Sequence, residues 1–233
     1  MLCDVFEVTP PAGFPDHPHR GFETVTYLLE GAIAHEDFGG NKGLIGPGYV
    51  KLYLSIMFLP KLITLSHYSD VQWMTAGRGV VHAEMPASKM PSRGIQLWIN
   101  LAREYKMIEP AYQDLKDSDI PRANPEPGVE VKIIAGESFG IKSSVFTRTP
   151  TMIMDFKLEK EKKVEQKIPK GYQGFIYVLN GTGYFGGNQF KGEEHNTLFL
   201  DDDNGDYIPV EARDKDLRFM LFAGKPLEVN LIA

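Results

Sequence analysis

The sequence predicts an all-β protein of two domains, each a sandwich or barrel of antiparallel strands, and three observations carry that expectation. Most of the 233 residues fall into short apolar or alternating runs rich in Val, Ile, Phe, Tyr and Thr. Gly, Pro, Asn and Asp separate the runs, as in strands joined by tight turns. The stretch "TYLLEG" (Thr26 to Gly31) returns as "IYVLNG" (Ile176 to Gly181) with Tyr, Leu and Gly in register, which marks an internal repeat. Between the copies, from Arg103 to Gly128, four prolines and mixed charge interrupt the strand pattern as a linker does. The expected domains are residues 1–121 and 122–233.

Composition narrows the function classes. With 42% hydrophobic and 24% charged residues the chain can bury real cores. A net charge of -6 opposes a direct grip on nucleic acid, because that binding needs clustered Lys and Arg. Any role at DNA then runs through a protein partner. Cys3 is the single cysteine, so no internal disulfide and no cysteine-built zinc site can form. With no recognisable signal peptide, an intracellular compartment is expected. The most apolar run, Leu52 to Leu65, is broken by Pro60 and Lys61 and is shorter than the roughly 20 residues of a spanning helix, so no membrane span is expected.

Along the chain, "FPDHPHRGFETV" (Phe14 to Val25) is the first stretch with chemistry in it. Side chains at i and i+2 share a strand face, so His17 and His19 present two imidazoles side by side with Pro18 turned away. Glu23 has the same parity and is expected behind the imidazoles or at the surface rather than as a fifth ligand. "ETVTYLL" follows as a strand. His35, in "AIAHEDF" among acidic neighbours, is expected at a strand-end surface. His67 lies in the apolar stretch described below. Trp73, Met74 and Trp98 alternate in strand-like runs and are assigned to core or cavity wall. "GRG" (Gly77 to Gly79) reads as a tight turn, since no Lys-Ser/Thr and helix follow it. Directly after it, "VVHAEMP" repeats the i, i+2 spacing with His82 and Glu84. "GIQLWINL", "VEVKIIAG" and "GFIYVLNG" read as strands, Lys157 to Lys167 as a solvated strand or turn, and His195 as an exposed loop residue.

If the strands bearing the two pairs are antiparallel neighbours, three imidazoles and one carboxylate converge. That set suits a divalent transition metal such as iron, manganese, nickel or copper better than calcium or magnesium, which prefer oxygen shells. An octahedral ion would keep two positions open, whereas four protein ligands would close a tetrahedral zinc site. On the repeat offset, His17, His19 and Glu23 fall opposite Lys167, Pro169 and Gln173. The chemistry is therefore expected in the first domain alone.

"GFPDHPHRGFETVTYLLEGAIAHEDFGG", "VQWMTAGRGVVHAEMP", "GIQLWINL", "TRTPTMIMDFKL" and "LRFMLFAGKPLE" together resemble the pirins, a family of the cupin superfamily, and among them the plant-type pirin-like proteins. The likeness covers nearly the whole chain. It implies a bicupin of two double-stranded β-helix barrels with one iron, Fe(II) or Fe(III), in the first barrel. The implied ligands are His17, His19, His82 and Glu84, with none in the second barrel. Two roles follow from the resemblance. One is quercetin-type flavonol 2,3-dioxygenation, in which Glu84 accepts the flavonol hydroxyl proton. The other is nuclear co-regulation of a transcription factor, or of a G-protein-type signalling partner, switched by the iron oxidation state, with residence in nucleus and cytoplasm. An inactive paralogue is a third expectation, drawn from departures. Pirins pass almost directly from "NKGLIGPG" to "VQWMTAG", whereas this chain inserts Tyr49 to Ser69, read as translated intron sequence or a gene-model error. Pirins also extend further at both ends, so a truncated bicupin with open strand edges is expected.

Overall fold

A computed structural model describes residues 1–46, 70–200 and 206–227. The segment Tyr49 to Ser69, read above as an insertion, and with it His67, lies outside the described residues. The chain divides into two compact units, Met1–Asp119 and Ile120–Ala233.

The first unit contains β1 (Leu2–Val8), β2 (Phe14–His19), β3 (Phe22–Glu30), β4 (Ile33–Asp37), β5 (Lys42–Ile45), β6 (Val71–Thr75), β7 (Val80–Pro86), β8 (Ser92–Asn100) and β9 (Ala111–Leu115). They form two antiparallel sheets, ordered β1-β8-β3-β6-β9 and β2-β7-β4-β5. The sheets close on a shared interior where Leu28 of one packs with Ile33 and Ile45 of the other. Trp73 and Met74 are fully buried, as expected, and Gly77 and Gly79 both adopt positive φ in a turn.

The stretch from Arg103 to Gly128 is more than a linker. It holds two 3-10 turns, Arg103–Tyr105 and Asp117–Asp119, and the strands β9 and β10 (Arg122–Glu126). β9 pairs with β6 from Thr75 opposite Ala111 to Val71 opposite Leu115. Its prolines stay out of the ladders: Pro110 precedes β9, and Pro125 falls on an edge strand at a register shift between Ala123 and Glu126, where a missing N–H removes no ladder bond.

The second unit continues with β11 (Val129–Ala135), β12 (Glu137–Ser138), β13 (Ile141–Lys142), β14 (Thr151–Leu158), β15 (Lys163–Lys167), β16 (Gln173–Asn180), β17 (Thr182–Phe185), β18 (Phe190–Glu193), β19 (Thr197–Phe199), β20 (Tyr207–Glu211) and β21 (Leu217–Gly224). Its sheets run β10-β11-β14-β21-β16-β19 and β15-β20-β17-β18, with β12-β13 as a hairpin. Its core stacks Phe156 on Phe219 with ring centres 4.7 Å apart, surrounded by Ile133, Met154, Val178 and Leu221. The charged run from Lys157 is solvated on one face only, because Val164 and Gln166 of β15 turn inward while Lys163, Glu165 and Lys167 turn out.

The repeat is structural as well as textual. β14 to β21 pair with one another in the same connectivity as β1 to β8. Even the ladder irregularity recurs, between Leu28 and Glu30 on β3 and between Val178 and Asn180 on β16. The shared glycine has a backbone cause. Gly31 and Gly181 adopt φ of 77° and 86°, and a Cβ on either would collide with the carbonyl oxygen of Pro91 or Asp216 respectively.

Gly46 and Asp70, the described residues on either side of that segment, are held together. The Gly46 N–H donates to Asp70 Oδ2 at 3.1 Å, and the same carboxylate takes Lys116 Nζ at 2.9 Å and the Asp117 N–H at 2.9 Å. The two described ends are thus tied to each other directly. Excising Tyr49 to Ser69, which leaves Pro47 and Gly48 as the connection, is expected to preserve the far-UV spectrum and the metal stoichiometry, since loop closure depends only weakly on length. Loss of the folded state in that variant would show that the segment belongs to the barrel. Among the described residues no helix is long and apolar enough to cross a membrane.

Candidate metal centre

β2 and β7 are antiparallel neighbours with His17 opposite His82 and His19 opposite Val80. This register brings a ligand atom from each of His17, His19 and His82 within 4.8 Å of one another. His82 Nε2 and His17 Nε2 lie 3.1 Å apart. His17 Nδ1 lies 2.8 Å from the Pro15 carbonyl oxygen; a carbonyl only accepts, so Nδ1 donates there and Nε2 is the nitrogen turned to the cluster. His19 Nε2 and His82 Nδ1 are buried without a hydrogen-bond partner. Unsatisfied buried nitrogens are costly, and imidazoles gathered this closely fit a divalent transition-metal ion.

The protonation states agree. Burial, then the neighbouring His17, pushes His19 down to about 4. Burial, then His17 and His19, pushes His82 down to about 3. Both are neutral at pH 7, the form that ligates. Because the unfolded chain takes up these protons at the ordinary 6.5, the contribution is intact above that pH and is lost as pH falls from there towards about 3. The metal-free chain should accordingly melt at progressively lower temperature from pH 7 to pH 4.5, and replacing both histidines should flatten that slope.

Glu84 stands beside the three imidazoles, 3% exposed, with Oε2 3.9 Å from His82 Nε2. Two side chains of the facing sheet hold it. Gln96 Nε2 donates to Oε2 at 3.1 Å and the Thr26 hydroxyl to Oε1 at 3.4 Å. Thr26 and Gln96 are direct partners across β3 and β8, so one cross-strand pair grips the carboxylate. Burial raises the Glu84 pKa against the opposing pull of Gln96, His17 and Thr26. Changing Gln96 to Leu, the residue type at the matching place on β21, should weaken metal binding by roughly 10- to 100-fold, the usual loss when a group orienting a ligand is removed. Unchanged affinity would mean that Gln96 does not position Glu84.

Two expectations need correction. His35 is not a surface residue; it is 6% exposed. It lies opposite Glu84 across β4 and β7 and opposite Gly43 on β5, where a Cβ would overlap its ring. Its imidazole stacks on Tyr112 at 6.0 Å, and burial lowers its pKa. The Tyr112 hydroxyl donates to Asp37 Oδ2 at 2.7 Å, and Asp37 lies opposite His82. The alternation in "IAHED" held the signal, since Ile33, His35 and Asp37 all turn inward. Glu23 is not a surface charge either: it is 0% exposed and accepts the Thr75 hydroxyl at 2.6 Å. Arg20 and Gly21 separate β2 from β3, so the parity counted from His17 does not carry through, and alternation puts Glu23 on the face of β3 away from Thr26. His195 is exposed, as expected, and pairs with the Tyr177 hydroxyl at 2.9 Å.

In the second unit the matching positions are apolar or neutral. Gln166 lies opposite Ile208 and Val164 opposite Val210, with Phe185 also opposite Val210. By strand and register, Gln166, Ile208, Val210 and Phe185 stand where His17, His82, Glu84 and His35 stand in the first. Gln166 comes one residue earlier than the offset from the repeat suggests, because β2 carries an extra residue between Phe14 and His17 that β15 lacks.

Two barrels of the same strand order, one with histidines of adjacent strands gathered inside it, define a bicupin with a candidate metal centre in its first barrel. The family model described as Pirin matches residues 4–55 and 64–99, and the Pirin C-terminal cupin domain matches 153–233. The chain belongs to the pirin family. It is 49% identical to rat Pirin over 236 residues, covering 100% of this chain and 73% of the relative. It is 47% identical to Pirin-like protein 2 of Arabidopsis thaliana, covering 97% and 65%. Among solved structures it is similar to a quercetin 2,3-dioxygenase from Acinetobacter baumannii, with a TM-score of 0.81 and 31% identity over 98% of this chain and 75% of that one.

Proposed function

We propose that the first barrel binds one iron ion per chain through His17, His19, His82 and Glu84, and that this centre catalyses quercetin-type 2,3-dioxygenation of a flavonol. The observation that carries the reading is the gathering of three imidazoles within 4.8 Å, with the buried Glu84 carboxylate 3.9 Å from His82. The similarity to a protein named quercetin 2,3-dioxygenase favours this reaction class. Bound iron would supply Lewis acidity at a flavonol oxygen and an electron path to dioxygen. The chain supplies the rest. Glu84 takes the flavonol hydroxyl proton, and burial, by raising its pKa, brings the base nearer to the acid it must deprotonate. Gln96 and Thr26 fix the direction of that carboxylate. Oxygen uptake by the iron-loaded chain is the test: consumption that requires both iron and quercetin supports the reaction, and none from a fully loaded chain removes it.

A second reading keeps the iron and replaces turnover with regulation of a protein partner, of the transcription-factor or G-protein type, in nucleus and cytoplasm. It is favoured by the net charge of -6 and by the burial of His19, His82 and Glu84, which limits access to the centre. Hydrogen exchange near His17 that differs between Fe(II) and Fe(III) forms, with no oxygen uptake, is the result that selects it.

A further inference from the structure

The second barrel has an opening above the place that matches the histidines of the first. A cavity of about 420 Å³ enters it, within the size range of small-ligand pockets. Its inner wall includes Ile168, Ile176, Phe185 and Ile208. Three of these match site residues by strand pairing: Ile208 stands for His82, Phe185 for His35 and Ile176 for Thr26. Ile168, whose N–H donates to the Asp206 carbonyl, continues β15 as His19 ends β2. The substitution from polar to apolar is therefore concentrated on one functional position of the repeat, beneath the cavity.

The mouth has a different character. Phe190, Phe199 and Tyr207 border it and are exposed, a cluster of aromatic faces that water solvates poorly. Among the described residues, Lys170, Asn188 and Asp206 bring exposed polar side chains to this rim. An apolar bore calls for an apolar body, exposed rings call for a flat one, and rim donors and acceptors of both signs suit a neutral hydroxyl rather than a strong ion.

We infer that the second barrel is a binding site for a small planar aromatic molecule bearing a phenolic hydroxyl, independent of any metal in the first barrel. The ring system lies in the mouth, over Ile208 and against the exposed rings of Phe190, Phe199 and Tyr207, and the hydroxyl meets the polar rim. Gly187 provides the means of testing it. It lines the mouth, a Cβ there meets nothing within 4 Å, and its φ is not in the left-handed region. A bulky side chain can occupy that place without disturbing the core.

Fluorescence titration of the metal-free chain with 2-naphthol is the experiment, compared with Gly187→Trp, whose melting temperature should equal that of the unchanged chain. The expected result is saturation at about one 2-naphthol per chain, weakened at least roughly tenfold by Gly187→Trp, the scale of about 1.4 kcal/mol. Absence of saturation, several molecules bound per chain, or binding indifferent to Gly187→Trp would overturn the inference. So would a chain that sediments as a dimer, becomes monomeric on Gly187→Trp and binds no 2-naphthol, since the mouth would then be covered by a second copy.

Discussion

Changing His82 to Ala is expected to abolish metal binding while leaving the fold intact. His82 sits at the middle of the cluster, its ring centre 4.5 Å from that of His17 and 4.9 Å from that of His19, and its Nε2 reaches towards both His17 and Glu84. Removing it leaves two histidines on one strand and an isolated buried carboxylate. The affinity should fall by more than roughly 100-fold, beyond the loss seen when only a group behind a ligand is removed. Stability should respond far less. The lost side chain carries a buried Nδ1 without a partner, and the matching position of the second barrel is filled by Ile208. His82→Ile therefore provides a second variant that packs the space and still removes the ligand. Full metal content in either variant, measured by elemental analysis on folded protein, would show that the cluster is not the metal site.

The second large effect is at Glu84, where Gln keeps the shape and removes the base. Quercetin-dependent oxygen uptake should fall by about 10²- to 10⁴-fold, the range associated with a lost general base, with iron still held by the three histidines. The same variant has a thermodynamic signature. Burial raises the folded-state pKa of Glu84 above its ordinary 4.5, so above that value the folded metal-free chain holds its proton longer than the unfolded chain does. Stability is then lost as pH rises through the folded pKa, the opposite sign to His19 and His82. Metal-free Glu84→Gln should be more stable than the unchanged chain at pH 7 and should fall more steeply in stability towards acid, because only the imidazoles remain to titrate. A variant that is less stable at pH 7 would place Glu84 in an ionised, well-satisfied setting.

The ligand pairs were legible because a strand's two-residue period is written directly in "HPH" and "HAE", and one assumption, that the two strands are neighbours, sufficed to join them. The repeat was legible for a similar reason: its glycine is forced by backbone approach, so it survives in "TYLLEG" and "IYVLNG". What depended on pairing between distant strands was not. β9 looked like part of a linker because "AYQDL" has little apolar alternation, and its partner β6 ends some way back along the chain. Gln96 and Thr26 sit in apolar runs where a polar residue reads as solvent-facing, and only the closure of one sheet on the other shows that they face Glu84. His35 was misplaced by its acidic neighbours. Of these, Glu36 turns outward to Lys42, while Asp37 turns inward with the imidazole.

Iron stoichiometry after anaerobic loading tests the central claim most directly. The purified chain is incubated with Fe(II), freed of excess metal and assayed for iron while circular dichroism confirms the fold. The account predicts about one iron per chain, lost in His82→Ala, as expected for a single mononuclear site built from imidazole and carboxylate ligands. A folded chain that retains no iron would contradict it, and would leave the gathered histidines of the first barrel without the ion their geometry fits.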